Sequence, residues 1–305
     1  MPDLALMYEH SDWLRPLFAE LDRRGTDYRA IQADGHSFDP AQATPPAPLV
    51  FNRIAMSSFM RSVDHPIFYA HSLFAAWEAV GAQVVNGSRA LAVDSSKARQ
   101  LTLIAGLGYA IPETRVVHRI ADLVAAAGAL RFPLVVKANI GGSGAGIIRY
   151  DSLDQLRTWA AEGMVPESID KMWLVQELVP ARGGRILRFE VLDGRLLYAL
   201  SIDGGGGFDL CPADACLTAS GKPPVTIERF APEPADIAAA ERIIVAAGID
   251  VGGVEALIDD RDGTLRFFDI NAFSNFVADP VGLLGWDPHV TLVDWLETQM
   301  KGSDR

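Results

Sequence analysis

The stretch VVKANIGGSGAG (residues 135–146) decides how the chain is interpreted, because it joins an apolar run to a lysine and then to a cluster of glycines. The apolar run predicts a buried strand that ends near Lys137. The residues after the glycines, IIRY (147–150), also have the composition of a strand. The stretch therefore predicts two strands joined by a glycine-rich loop, with a cation at the end of the first strand.

This loop differs from two well-known phosphate-binding loops. A P-loop requires lysine and serine or threonine directly after its last glycine, but Ile147 and Ile148 follow Gly146 here. A dinucleotide-binding loop opens a helix, whereas a strand is predicted after Gly146. A third arrangement is a glycine loop between two strands, in which backbone amides bind phosphate oxygens and a nearby lysine supplies charge. For the loop taken alone, a structural turn without a ligand stays open as the alternative.

The composition of the 305-residue chain is that of a globular protein, with 49% hydrophobic and 22% charged residues. A formal net charge of -12 argues against general affinity for nucleic acid or anionic lipid. The start MPDLALMYEH has no basic region, and no apolar run reaches the roughly 20 residues that span a bilayer. Cys211 and Cys216 are too few for a disulfide framework. We therefore expect a cytoplasmic protein with no nucleic-acid partner and no membrane association.

The alternation of strand and helix patterns predicts three units. Residues 1–94 contain short strand patterns separated by helical ones, which is typical of a small α/β domain with a parallel sheet. Residues 95–179, with the lysine strand and the glycine loop, are predicted to form a central lid unit. Residues 180–305 are predicted to be richer in strands, with hairpin turns at two Asp-Gly pairs (193–194 and 262–263). The expected fold class is α/β, and α+β in the C-terminal part.

A second cluster of polar residues lies in GGVEALIDDRDGTLRFFDIN (residues 252–271). A turn at residues 262–263 would bring Glu255 close to Asp269, and Asn271 lies two residues further on, with its side chain on the same face. Oxygen ligands of this kind suit Mg2+, which commonly shares its ligands with nucleotide phosphates. The alternative is a pair of solvated acids, but both carboxylates stand in apolar surroundings, where an unpaired charge is costly.

The order of five motifs resembles the ATP-grasp superfamily, and in particular its ribosomal protein S6 glutamate ligase-like (RimK-like) branch of carboxylate–amine ligases. The five are VVNGSR with the Lys97 helix and IPETRVV, the lysine strand FPLVVKAN, the glycine loop, VQELV, and the pair VEALI and DIN. The resemblance covers residues 84–276, some two thirds of the chain.

The resemblance implies an ATP-grasp fold of three subdomains, with ATP held between two α+β subdomains. It also implies an enzyme in which ATP converts a carboxylate into an acyl phosphate. An amine then attacks, so that an amide or peptide bond forms and ADP and phosphate are released. The implied substrates are small, amino-acid-like carboxylates and amines, and the implied assembly is a homodimer. Two alternatives stay open: a kinase that phosphorylates a small molecule without ligation, and a nucleotide-binding regulatory protein without turnover.

The resemblance also assigns roles to residues. Lys97 and Lys137 would contact the nucleotide phosphates, Lys137 would also act in catalysis, and Arg188 would steady the transferred phosphate. Mg2+, with Mn2+ as a substitute, would be held by three polar side chains: Glu255, Asp269 and Asn271. The loop residues would fold over the phosphates and the hinge residues would border the adenine: Gly141, Gly142, Ser143, Gly144 and Gly146, and Gln176, Glu177, Leu178 and Val179.

Three departures from the family pattern bear on the substrate. Ile186 stands where the family has an aspartate that contacts the nucleotide, and SNFVADPVG (residues 274–282) replaces a Ser-Pro-Gly turn. The segment SIDGGGGFDLCPADAC (residues 201–216) replaces basic residues that help to close the site. We therefore expect a substrate other than glutamate or a poly-acidic acceptor. We also expect segment 201–216 to determine which substrates bind. For Cys211 and Cys216 a buried structural role is favoured over a reactive thiol.

Overall fold

The computed structural model describes residues 2–142, 144, 146–204 and 225–302. Within them the chain forms three sheets, two with four strands and one with five, and helices pack against them. The predicted α/β class is therefore confirmed. The unit boundaries stay predictions. The expectations for Cys211, Cys216 and most of segment 201–216 concern residues that the structure does not describe.

The first sheet is parallel, as predicted from the alternation of strands and helices. The elements of this part are β1 Leu4–Tyr8, α1 Arg15–Arg24, β2 Tyr28–Gln32, β3 Leu49–Arg53, α2 Ile67–Ala79, β4 Gln83–Val85 and α3 Ser88–Asp94. The strand order is β2-β1-β3-β4. The first four residues of β1 and of β3 are buried, because helices cover both faces of a parallel sheet. A short 3-10 helix, Met56–Met60, follows β3 and was not predicted.

The second sheet contains the lysine strand at its centre. Its elements are α4 Lys97–Gly106, β5 Thr114–Val117, α5 Leu123–Ala127, β6 Leu134–Ala138, β7 Ile147–Tyr150, α6 Leu153–Ala161 and β8 Trp173–Glu177. The order is β5-β8-β6-β7, and every neighbouring pair is antiparallel. Lys137 on β6 pairs with Ile147 on β7. The predicted arrangement of two strands joined by the glycine loop is thus confirmed.

The third sheet is antiparallel and contains both predicted hairpins. The elements are β9 Arg185–Leu192, β10 Arg195–Asp203, β11 Thr226–Arg229, α7 Pro234–Ala247, β12 Val251–Ile258, β13 Leu265–Asn271, α8 Pro280–Leu284 and α9 Pro288–Gly302. Asp193 and Gly194 have φ angles of 50° and 70°, as the turn between β9 and β10 requires. The helices α8 and α9 were not predicted. In the described part of the chain, no helix is both long and apolar enough to cross a membrane.

The helix α4 packs against the third sheet, although it precedes the second sheet in sequence. The buried side chain of Gln100 accepts a hydrogen bond from the Ile270 N–H at 3.0 Å and donates one to the Ile270 carbonyl at 2.9 Å. Ser96 caps the helix by accepting from the N–H of Arg99. These contacts fix Lys97, in the first turn, beside β13.

Asn86 joins the first sheet to the third. Its side-chain oxygen accepts from the N–H groups of Asp250 and Val251 at 2.8 and 3.2 Å. Its side-chain nitrogen donates to the carbonyls of Val251 and Ala272 at 2.7 and 2.5 Å. The residue has a φ of 51° and is completely buried. One side chain therefore satisfies four buried backbone groups.

We expect Asn86→Ala to lower the free energy of unfolding by about 3 kcal/mol, because buried backbone groups would lose their partners. Alanine also tolerates a positive φ less well than asparagine. Urea denaturation followed by circular dichroism measures the change. The control, Gln42→Ala in an exposed loop, should change the free energy of unfolding by no more than about 0.5 kcal/mol. Equal stability of Asn86→Ala and the wild type would contradict this account.

Candidate nucleotide and metal site

A cavity of about 370 Å³ is lined by residues of the second and third sheets and by residues next to the first. The predicted site residues line it, apart from Gly146, which is not part of its wall, and Ser143, which the structure does not describe. These lining residues belong to α4, β6, β9, β12, β13, the glycine loop and the end of β8 with the two residues after it. The lining members are Lys97, Lys137, Gly141, Gly142, Gly144, Gln176, Glu177, Leu178, Val179, Arg188, Glu255, Asp269 and Asn271.

The strand β6 separates the two ends of the cavity. Leu134, at its start, pairs with the hinge residue Glu177, whereas Ala138, at its end, leads into the glycine loop. A strand advances about 3.3 Å per residue, so hinge and loop are roughly 13 Å apart. The lysine of β6 lies at the loop end.

The predicted metal residues meet on the paired strands β12 and β13. Glu255 lies opposite Asp269, and a β-bulge follows between Glu255 and Ala256. Asn271 donates its side-chain N–H to Glu255 Oε1 at 3.4 Å. Burial raises the pKa of Glu255 to about 6, although the nearby Arg188 acts to lower it. The predicted proximity of these side chains is confirmed.

The donor set fits a hard cation. Glu255 Oε2, Asp269 Oδ2 and Asn271 Oδ1 accept no hydrogen bond from the described residues, and oxygen is the ligand atom that Mg2+ prefers. Across the described ranges, no group of three or more His, Cys, Asp or Glu side chains is arranged to hold a metal. A site of two carboxylates and one amide would therefore depend on phosphate oxygens and water for its other ligands.

Arg188 is buried among acidic and hydroxyl groups. Its guanidinium donates to Glu190 at 2.6 Å, to Glu255 at 2.6 Å and to Ser274 at 2.8 Å. Burial acts to lower the pKa of Arg188, but Glu190 and Glu255 outweigh it and hold the pKa above its usual range. The side chain is thus fixed at the cavity wall. Sequence reasoning missed Glu190, although its spacing of two from Arg188 puts both side chains on one face of β9.

The two predicted lysines have different surroundings. Lys97 Nζ donates to Asp269 Oδ1 and forms an ion pair with it. Lys137 is only 5% exposed and forms no hydrogen bond or ion pair with the described residues. Burial, together with repulsion by Lys97, lowers the pKa of Lys137 to about 7. When Lys137 is protonated, no acidic group among the described residues balances its charge by direct contact.

Two further polar residues of the wall escaped sequence reasoning. Asp94 accepts a hydrogen bond from the Ala272 N–H at 2.9 Å, and burial raises its pKa to about 7. Gln100 holds the backbone of β13, as described above. Lys97 and Gln100 are three residues apart on α4, and this spacing on one helical face was the available signal for Gln100, whereas Asp94 ends the preceding helix α3 and no such signal pointed to it.

At the hinge, the side chains serve mainly to hold the sheet. Gln176 donates to Thr114 Oγ1 at 2.8 Å. Glu177 accepts from the Arg131 N–H at 3.0 Å and lies 3.4 Å from Arg261. The Leu178 N–H donates to the Pro133 carbonyl at 2.9 Å. Among the described residues, no hydrogen-bond partner is found for the Leu178 carbonyl or the Val179 N–H, and both residues line the cavity.

The substitutions relative to the family pattern lie at the cavity wall. Ile186, in place of an aspartate, contributes an apolar side chain there and is 6% exposed. Ser274 and Asn275, which begin the divergent last loop, also line the cavity. Arg53, a residue of β3, donates to the Ser274 carbonyl at 3.1 Å and to Asn275 Oδ1 at 2.8 Å. The first sheet therefore supports the wall that this loop forms.

Comparison with known sequences finds relatives among ligases, whereas no family model matches the chain. The probable alpha-L-glutamate ligase of Syntrophotalea carbinolica is 28% identical over 199 residues, which are 64% of this chain and 61% of the relative. Probable alpha-L-glutamate ligase 1 of Pseudoalteromonas atlantica is 30% identical over 145 residues, 46% of each chain. The chain thus spans about half to three fifths of the length of these curated relatives.

Solved structures share the fold over nearly the whole chain. The ATP-grasp ligase PsnB complexed with minimal precursor gives a TM-score of 0.70 at 16% identity, covering 98% of this chain and all of that one. A RimK domain ATP-grasp protein from Sphaerobacter thermophilus gives a TM-score of 0.68 at 18% identity, and the match covers 95% of this chain and 98% of that one. D-alanine–D-alanine ligase from Bacillus anthracis gives a TM-score of 0.68 at 15% identity, and the match covers 99% of this chain and 98% of that one.

Related structures of two of these ligases contain nucleotides: PsnB with Mg and ADP, and the Bacillus anthracis enzyme with ATP. At such identities the structural likeness establishes the fold alone. The expected ATP-grasp fold is thereby confirmed, and so is the resemblance to RimK-like proteins that the motifs indicated.

Proposed function

We propose that this chain, which has the ATP-grasp fold, is an ATP-dependent carboxylate–amine ligase. The observation that carries the proposal is a single cavity with a peptide hinge at one end and two lysines, a glycine loop and three oxygen donors at the other. The sequence similarity to probable glutamate ligases supports the reaction class.

ATP is proposed to lie along β6. The Leu178 carbonyl and the Val179 N–H offer one acceptor and one donor, which match the donor and acceptor on the edge of adenine. At the other end, Lys97, Lys137 and the loop residues Gly141–Gly146 would surround the phosphates. Glu255, Asp269 and Asn271 would hold Mg2+, which would neutralise charge on the phosphates when bound.

The chemistry follows from the weakness of a carboxylate as an electrophile. A carboxylate oxygen of the substrate attacks the γ-phosphorus, ADP leaves with the electron pair of the broken bond, and an acyl phosphate forms. The amine nitrogen then attacks the acyl carbon, phosphate leaves, and the nitrogen loses a proton. Lys137 and Arg188 would stabilise negative charge on the transferred group, and the closed loop would exclude water from the acyl phosphate.

An ADP-release screen with Mg-ATP, amino acids and small acids tests the proposal, and mass spectrometry identifies the product of any active pair. An amide together with ADP and phosphate would support the ligase. A phosphorylated product without an amide would instead identify a kinase. Nucleotide binding without ADP release across the screen would favour a regulatory protein.

We expect ATP binding to take up protons near pH 8. In the free protein Lys137 has a pKa of about 7 and is mostly neutral at that pH. Polyphosphate beside it would favour the charged form, so the affinity for ATP should fall as the pH rises above 7. Calorimetry in two buffers with different ionisation enthalpies measures the uptake. The variant Lys137→Met should bind ATP without it, and equal uptake by both proteins would rule out Lys137 as the source.

We expect Gly142→Ala to slow ADP formation about tenfold, because the loop lies against the 3-10 helix Met56–Met60 and its closure positions the phosphates. A Cβ atom at Gly142 would lie 2.8 Å from Ser57 Cβ, which is too close for the loop to keep its place. The matched control is Gly106→Ala, where an added Cβ meets nothing within 4 Å. The double variant with Ser57→Gly should regain activity. Full activity of Gly142→Ala alone would mean that this contact is unimportant.

The proposal also includes the cellular setting, the assembly, a substitute metal and the substrate class. A reducing, cytoplasmic setting is supported by the sparse cysteines, and a homodimer and the use of Mn2+ by the family resemblance. Amino-acid-like substrates are supported by the names of the sequence relatives.

A further inference from the structure

Beyond the glycine loop, four apolar residues line the cavity beside the uncharged polar residues Ser57, Ser274 and Asn275. Trp13, Ala55, Met56 and Phe273 line it, and we call these four residues the apolar end. Ala55, Met56 and Phe273 are each at most 9% exposed, so they are part of a packed wall and not a mobile surface. The apolar end belongs to no motif of the family resemblance, and three of its members precede residue 84, where the resemblance begins.

The apolar end lies on the phosphate side of the cavity. Ser57, next to Met56, is the residue that Gly142 of the glycine loop lies against. Phe273 follows the metal-site residue Asn271 by two positions. Along the cavity, the hinge is therefore followed by the lysines and oxygen donors and then by the apolar end. A group that receives the γ-phosphate from ATP has to approach from this side.

The charges of the wall are concentrated elsewhere. Among the described lining residues the cations are Lys97, Lys137 and Arg188, which lie at the phosphate and metal positions. Two arginines near the apolar end do not line the cavity. Arg61 is paired with Glu9 and Arg53 is bonded to the last loop. A second carboxylate on a substrate would thus find no free cation among the described residues at this end.

Trp13 is held in place before any substrate binds. Its ring lies 4.4 Å from the guanidinium carbon of Arg61 and stacks on His10 with a centroid distance of 5.0 Å. Arg61 is in turn fixed by Glu9 and by Ser57, to which it donates at 3.2 Å. A rigid aromatic wall binds an apolar group without a further loss of side-chain freedom.

We infer that the apolar end binds the side chain of the carboxylate substrate, and that this side chain is large and apolar, as in leucine or phenylalanine. The inference rests on the proposed ligase function for the identity of the reacting carboxylate. The apolar class of the side chain follows from the chemistry of this wall. The described residues of the apolar end supply an indole, a thioether and a phenyl ring, and none of them is charged.

Binding measurements test the inference without requiring turnover. Calorimetry in the presence of Mg2+ and a non-hydrolysable ATP analogue would compare leucine and phenylalanine with glutamate and lysine, and hexanoate with glutarate. We expect the apolar ligand of each comparison to bind at least about tenfold more tightly. Equal or tighter binding of glutamate or glutarate, or no binding by any of these ligands, would overturn the inference.

Variants of the 3-10 helix Met56–Met60 provide the matched comparison. Met56→Ala should weaken the binding of leucine and phenylalanine about tenfold, because the removed atoms contact the ligand. Met60→Ala, in the same short helix but 50% exposed and outside the cavity wall, should bind them as the wild type does. Met56→Lys should bind glutamate more tightly than the wild type. Unchanged selectivity in both Met56 variants, with the ATP analogue still bound, would overturn the inference.

The ADP-release screen separates this inference from the ligase proposal. Tight binding of apolar acids without ADP or amide would contradict the ligase and leave the apolar end as a binding site. An amide formed preferentially from glutamate would support the ligase and contradict the inference.

Discussion

Asp269→Asn is expected to reduce the rate of ADP formation about 1,000-fold, because it removes one charged oxygen donor from the proposed metal site. It also removes the charge that pairs with Lys97. Both changes act where charge develops during phosphoryl transfer. The rate at saturating substrates and its dependence on the Mg2+ concentration are the two measurements. We expect the variant to require a higher Mg2+ concentration for half-maximal rate.

The matched control for Asp269→Asn is Asp260→Asn. Asp260 lies in the turn of the same hairpin, its side chain is 63% exposed, and it does not line the cavity. This control should keep the activity of the wild type. If Asp269→Asn retained both the rate and the Mg2+ dependence of the wild type, Asp269 would have no part in the reaction.

Lys137→Met is expected to reduce the rate of ADP formation by at least about 100-fold, because it removes a positioned charge from the end of β6. The fold should survive the change, since methionine is apolar, similar in length and placed in a buried strand. Lys301→Met, on the exposed end of α9, is the control and should be fully active. Wild-type activity of Lys137→Met would remove this lysine from the proposed mechanism.

Lys137→Met should also change how the free energy of unfolding depends on pH. The pKa of Lys137 is about 7 in the folded protein, below the value of 10.5 for a solvated lysine, so the unfolded state binds more protons between these values. The stability of the wild type should therefore rise from pH 7 towards pH 10, and this contribution should be absent in Lys137→Met. Urea denaturation at pH 7 and pH 9 measures the difference. A change in activity without this change in stability would indicate that Lys137 is more solvated than its burial implies.

Much of the local structure was predictable. The glycine loop between β6 and β7, the parallel first sheet and both Asp-Gly hairpins follow from short-range patterns of apolar, glycine and turn residues, and the structure confirms them. The pairing of Glu255 with Asp269 was also predictable, because a hairpin turn fixes which residues face each other. The roles of these residues in binding ATP and Mg2+ stay predictions.

Other features were missed because their patterns are weak or short. The 3-10 helix Met56–Met60 has only five residues, too few for a helical period to show. The helix α9 lies beyond the resembling segment, and no pattern was assigned to it. Segment 201–216 was expected to determine the substrate, but residues 205–216 lie outside the described residues, so this expectation stays a prediction. The inference about the substrate side chain rests instead on the apolar end.

The sequence by itself determined the strands, the turns and the ordered motifs that indicate ATP-grasp chemistry, because backbone conformation and face periodicity depend on residues a few positions apart. Only the tertiary structure decided which charges meet. It placed Lys97 against Asp269 and Arg188 against Glu255, and it brought Trp13 and Met56 to the wall of the same cavity. These contacts join side chains that different strands and helices carry. Their free energies depend on burial and distance, which sequence spacing does not record.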